Sequence, residues 1–129
     1  MQNPAKPKQR APYAFVVDAL LPLTPEVRRL FSGFGVYIDD RLVCMLRDHP
    51  TSPRDNGVWI VLSDGTSPRD PQLHYEFPSI RSIELLENKI GHWLVIPSDS
   101  PGFETEVLHL CDLLLRQDSR FGRIPKSRR

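Results

Sequence analysis

The spacing of apolar positions changes several times along the chain, and each change marks an element. Phe15, Val16, Ala19 and Leu20 recur at helical spacing, and Pro22 stops that face because its ring clashes with the preceding turn. Thr24, Pro25 and Glu26 read as a helix opening: a hydroxyl cap, a proline suited to the first turn and an acid at the positive dipole end. Val27, Leu30 and Phe31 would share one face of that helix, and Gly33 and Gly35 would end it and admit the chain to a strand. Residues 35–38 and 41–47 are β-type runs split by Asp39 and Asp40, the spacing of a two-residue hairpin. With that loop Tyr37 faces Leu42, Val36 faces Val43 and Ile38 faces Arg41, so both faces of the hairpin are apolar.

A polar stretch over residues 48–57 leads to a β-branched strand over 58–63, broken by Asp64 and Gly65. Asp70 and Pro71 supply a cap and a first helical position for a short helix over 72–77, closed by Pro78. Residues 79–86 read as extended, Asn88 and Gly91 as a turn, and 92–96 as a strand ended by Pro97. Ser100 and Pro101 open the strongest helical pattern. Phe103, Val107, Leu108, Leu110, Cys111, Leu114 and Leu115 lie on its apolar face, and Glu104, Glu106, Asp112 and Arg116 on the other. The element order, roughly α-β(3)-α-β(2)-α with about five strands, is that of an α+β domain, not a βαβ array.

At 129 residues with 40% apolar and 26% charged positions, the chain has enough material for one core and is not disordered overall. The net charge of +1 conceals an acidic body between basic ends. Lys6, Lys8 and Arg10 stand among Pro4, Pro7 and Pro12, so residues 1–12 read as a flexible basic tail. Arg120, Arg123, Lys126, Arg128 and Arg129 make 119–129 a second one, which leaves a single domain over 13–118. Such tails solubilise a domain, and they can also attract nucleic acid. Cys44 and Cys111 each fall in an apolar pattern and form no disulfide framework, which points to a reducing, cytoplasmic setting. The apolar run over 13–23 contains Asp18 and Pro22 and is too short to span a bilayer.

Motifs for chemistry are sparse. None of His49, His74, His92 and His109 stands at zinc spacing from another histidine or a cysteine, so no metal is expected. Gly33-Phe34-Gly35 lacks the third glycine of a phosphate loop, and no cofactor motif is present. Asp39 and Asp40 read as turn residues, not as a catalytic carboxylate pair. The pentapeptide TSPRD occurs twice, at 51–55 and 66–70, without matching flanks, so two loops share a turn chemistry; Ser52 and Ser67, each followed by proline, are also candidates for phosphorylation. Tyr37, Trp59 and Trp93 could stack on bases, but the two tryptophans sit in apolar strands and read as core anchors.

Residues 30–46, LFSGFGVYIDDRLVCML, resemble the opening of the TfoX N-terminal domain family: a helix ending in phenylalanine, a glycine-aromatic-glycine step, then a hairpin around an acidic turn. The likeness is strongest over about residues 24–62. It implies a two-layer fold of antiparallel sheet and helices, related to the YjbR group and to secretion chaperones, and a regulatory role without an accepted enzyme activity. No catalytic residue follows from it. A two-layer fold leaves one sheet face uncovered, so Val36, Tyr37, Leu42, Val43 and Met45 are the expected interaction face, for a homodimer or a regulatory protein. The competing reading is that residues 13–23 or the C-terminal tail cover that face. A second function class is nucleic-acid binding through Arg120, Arg123, Lys126, Arg128 and Arg129. A third is an enzyme whose site assembles from groups such as His92 and Asp99.

Overall fold

The first apolar face forms as its spacing predicts, as α1 (Ala14–Leu20), with Val16 and Leu20 fully buried. A 3-10 turn over Leu21–Leu23 follows. The computed structural model describes residues 10–86 and 91–125. The basic tail expected over 1–12 therefore lies mostly outside the described residues, and Ala11 packs against the core.

The helix expected after Thr24 is a strand, β1 (Glu26–Leu30). Thr24 sits at φ 55° and ψ 61° and closes the Leu21–Leu23 turn, its amide donating to the Leu21 carbonyl, instead of opening a helix. All five residues of β1 pair antiparallel with β2 (Gly33–Ile38), and this ladder overrides a weak local helix preference. Gly33 and Gly35 therefore lie inside a strand instead of ending a helix. A Cβ on Gly35 would press on the side chains of Tyr37, Leu30 and Leu42.

β2 turns through Asp39 and Asp40, both at positive φ (51° and 65°), into β3 (Arg41–Arg47). This is the two-residue turn whose twist suits a hairpin. Tyr37 faces Leu42 and Ile38 faces Arg41 as expected, but Val36 faces Cys44 and not Val43. A bulge between Val36 and Tyr37 inserts Val43 as an extra residue, so that Val43 and Cys44 both enter the core on the helix side. β4 (Gly57–Val61) and β5 (Trp93–Pro97) complete a five-stranded antiparallel meander in sequence order. The stretch 79–86 supplies no full strand. It pairs with β5 at Arg81 and Val95 alone, then folds into a 3-10 turn over Glu84–Leu86.

α2 (Pro71–Glu76) begins as expected, with the Asp70 carboxylate accepting the Gln72 amide. α3 (Phe103–Leu115) is preceded by a turn in which Ser100 Oγ accepts the Gly102 amide. α1, α2 and α3 cover one sheet face. Val36, Cys44, Leu46, Val58, Ile60 and Ile96 meet Leu20, Leu73, Val107 and Leu110 there, all close to fully buried. Each such side chain contributes about 1.5–3 kcal/mol relative to exposure. The result is a two-layer α+β fold. Among the described residues no helix is long and apolar enough to cross a membrane.

The C-terminal stretch is not a tail where it is described. Phe121 is buried in the helix-side core. Its neighbours wedge between diverging strands: Arg123 exchanges two backbone hydrogen bonds with Leu42, and the Gly122 amide donates to the Val61 carbonyl.

Among the described residues two polar side chains are fully buried, Arg47 and Asp55, and both serve loops. The Arg47 guanidinium donates to Ser32 Oγ, Asn56 Oδ1 and the carbonyls of Thr51 and Ser52, so residues 51–56 wrap around it. The Asp55 carboxylate accepts the amides of Glu84 and Leu85, while its carbonyl accepts Trp59 Nε1. Glu106, expected on the polar face of α3, is also buried, because it accepts the Ser79 amide and hydroxyl.

Candidate functional site

The second sheet face is covered differently from the first. Side chains alternate along strands, and the bulge at Val43 brings Leu42 and Met45 to the same side, so Leu30, Tyr37, Leu42, Met45, Trp59, Val61, Trp93 and Val95 share it. They form two apolar clusters, one around Met45, Trp59, Ile83 and Val95, the other around Tyr37, Leu42 and Val61. Leu30 and Trp93 pack against both clusters and join them into one strip. Trp93 meets Trp59 edge-to-face, with ring centroids 5.4 Å apart, and the Arg28 guanidinium lies 4.4 Å from the centre of the Tyr37 ring.

The cover is the stretch ending at Leu86, which Asp55 anchors. Its Ile83 is buried against Met45, Trp59 and Val95, its Leu86 is half-buried, and its Leu85 is 47% exposed. Among the described residues neither cover considered from the sequence is used, and residues 126–129 of the tail lie outside them. Residues 14–20 lie on the helix side, and residues 121–123 join the strands.

The five residues expected as the interaction face are all buried within this chain. Val36 and Val43 point into the helix-side core, while Tyr37, Leu42 and Met45 form the floor of the second face. What that face presents is its upper layer, Leu30, Trp93 and Leu86, rimmed by Arg28, with Leu85 exposed on the covering stretch beside Leu86. Sequence reasoning misses this layer because Leu30 reads as part of a helical face and residues 79–86 read as extended.

Comparison with models of known protein families, with curated proteins and with solved structures yields no match.

Of the arginines expected to contact nucleic acid, the two that are described, Arg120 and Arg123, are occupied. Arg120 bridges Asp118 (2.8 Å) and Glu76 (3.1 Å), and Arg123 reaches Asp64 (2.8 Å) and the Leu62 carbonyl. Lys126, Arg128 and Arg129 lie outside the described residues. His92 and Asp99 stand beyond opposite ends of β5, about 17 Å of strand apart, and do not converge. Burial and nearby Arg123 hold the His92 pKa down, while Asp99 pairs with Arg81 at 3.8 Å. Among the described residues no group of three or more His, Cys, Asp or Glu side chains could hold a metal ion.

The densest charged cluster ties α2, α3 and the C-terminal stretch together. Glu76 accepts from Gln72 and Arg120 and lies 3.3 Å from His109 Nε2. Hydrogen bonding from Arg120 holds the carboxyls of Glu76 and Asp118 below their usual range. As pH falls through that range the unfolded chain binds more protons than the folded one. The stability these groups contribute is present above the ordinary carboxylate pKa and is lost on acidification. Arg120→Met should lower stability by about 1–2 kcal/mol at neutral pH. It should also flatten the decline in stability as pH falls below about 5. Urea titrations across pH read both effects; an unchanged acid slope would show that Arg120 does not hold the two carboxylates down.

Proposed function

We propose that this chain is a non-enzymatic protein-interaction module that docks a protein partner on the second face of its sheet. One observation carries the reading: a continuous aromatic and aliphatic strip lies under one short cover among the described residues, leaving Leu30, Trp93 and Leu86 half-buried and Leu85 exposed. Protein interfaces are enriched in aromatic residues and arginine, and the strongest anchors sit in partly prebuilt apolar surroundings. Trp93, Tyr37 and Arg28 supply those residue types. The other exposed apolar side chains of the helical layer, Tyr75 and Leu108, overlie no second apolar cluster and need no special explanation.

A regulatory role of the kind the TfoX resemblance implies would act through this contact. The reading does not rest on that resemblance, since the helix that carries part of it is β1. Cys44 and Cys111 are free and buried, with burial pushing the Cys111 thiol up to about 11, which fits a cytoplasmic setting.

The test uses two leucines of matched exposure. Affinity capture from the native host with Leu85→Lys should lose a protein that the unsubstituted chain and Leu108→Lys both retain. Equal capture by both variants would reject the second face as the docking site.

A further inference from the structure

The edge strand β1 carries an observation that the docking face does not use. Leu21 (60%), Val27 (36%) and Phe31 (70%), three of the exposed large apolar side chains, lie on or beside it. Phe31 also sits at φ 53° in the two-residue turn between β1 and β2. A left-handed conformation costs a bulky residue about 1–2 kcal/mol. Glycine would avoid both the strain and the exposed ring, so the phenylalanine calls for something to cover it.

We propose that β1 pairs antiparallel with β1 of a second copy about a two-fold axis through Val27, joining two five-stranded sheets into one. Among the described residues β1 has β2 as its only strand neighbour, whereas the outer edge of β5 is engaged by Arg81. The pair Leu30–Gly33 closes the two-residue turn, so the backbones of Glu26, Arg28 and Leu30 point toward β2 and those of Val27 and Arg29 point outward. Val27 can therefore exchange two hydrogen bonds with Val27 of the second copy.

The same register sets Glu26 opposite Arg28 of the second copy, and by symmetry Arg28 opposite Glu26. This gives two cross-strand pairs of opposite charge. Charged edge strands usually block pairing, but here the signs complement each other. A register centred on Arg28 would oppose two guanidinium groups and is disfavoured. In the Val27 register the Leu21–Leu23 turn of the second copy comes alongside Phe31, so the exposed apolar residues cover one another.

Light scattering of the full chain, from micromolar to millimolar concentration, should show a monomer–dimer equilibrium. Val27→Pro removes the outward amide where an edge strand tolerates proline, and should weaken the dimer about tenfold or more. Glu26→Arg and Arg28→Glu should each be monomeric, while their equimolar mixture should form a heterodimer. An intrachain Glu26–Arg28 pair cannot produce that rescue. A strict monomer over the whole range, a dimer insensitive to Val27→Pro, or a mixture that stays monomeric would each overturn the proposal. Leu85 takes no part in this contact, so its variants report on the docking face separately.

Discussion

Arg47→Ala should destabilise the fold by roughly 3–5 kcal/mol, the largest single effect expected of any side chain discussed above. The guanidinium is fully buried at the end of β3 and makes four hydrogen bonds to uncharged acceptors. Removing it takes the donor from the Thr51 carbonyl and the Ser32 hydroxyl, leaves the Ser52 carbonyl with the Asp55 amide and Asn56 Oδ1 with the His49 amide, and opens a cavity where a long side chain was. Loss of a desolvated charge offsets part of this, and so the expected value stops short of a full sum over four bonds. Urea unfolding measures the change. A loss under about 1 kcal/mol would mean that residues 51–56 hold their shape without the arginine.

The second large effect separates two copies of one pentapeptide. In both TSPRD segments the aspartate amide donates to the serine carbonyl three residues back, across a proline-containing turn. Asp70 is a partly exposed cap on its own helix, while Asp55 is fully buried and holds the distant Glu84–Leu86 turn over the second sheet face. Asp70→Ala should cost about 0.5–1 kcal/mol, an ordinary cap loss. Asp55→Ala should cost about 2–4 kcal/mol, because two amides lose a charged acceptor inside the protein. It should also speed hydrogen exchange at Leu85. Equal costs for the two substitutions would remove Asp55 as the anchor of the cover.

Much of the scaffold was legible because its signals are local. Asp70-Pro71 caps α2, Asp39-Asp40 turns the hairpin, and the apolar spacing after Ser100 gives α3. What was not legible depends on partners far along the chain. Val27 and Leu30 fit a helical face on their own, and only pairing with β2 makes them a strand. Val43 is displaced by a bulge that no spacing announces. Glu106 looks solvent-facing until Ser79 supplies its hydrogen bonds. Arg120 and Arg123 look like tail charges until Glu76, Asp118 and Asp64 appear beside them.

The candidate site follows the same division. Of its floor, Tyr37 opposite Leu42 follows from the two-residue hairpin, but Met45 joins them on one face only through the bulge at Val43, and its accessible layer required the position of residues 80–86. Proline-linked Ser67 lies exposed in its loop, with its hydroxyl accepting the Arg69 amide, and takes no part in that layer.

The docking reading meets its most direct test in site-specific photo-crosslinking within the native host. A photoreactive residue at position 85 should yield a discrete protein adduct, and one at position 108, of nearly equal exposure, should yield none. Adducts from position 108 with none from position 85 would contradict the second sheet face as the place where this protein meets its partner.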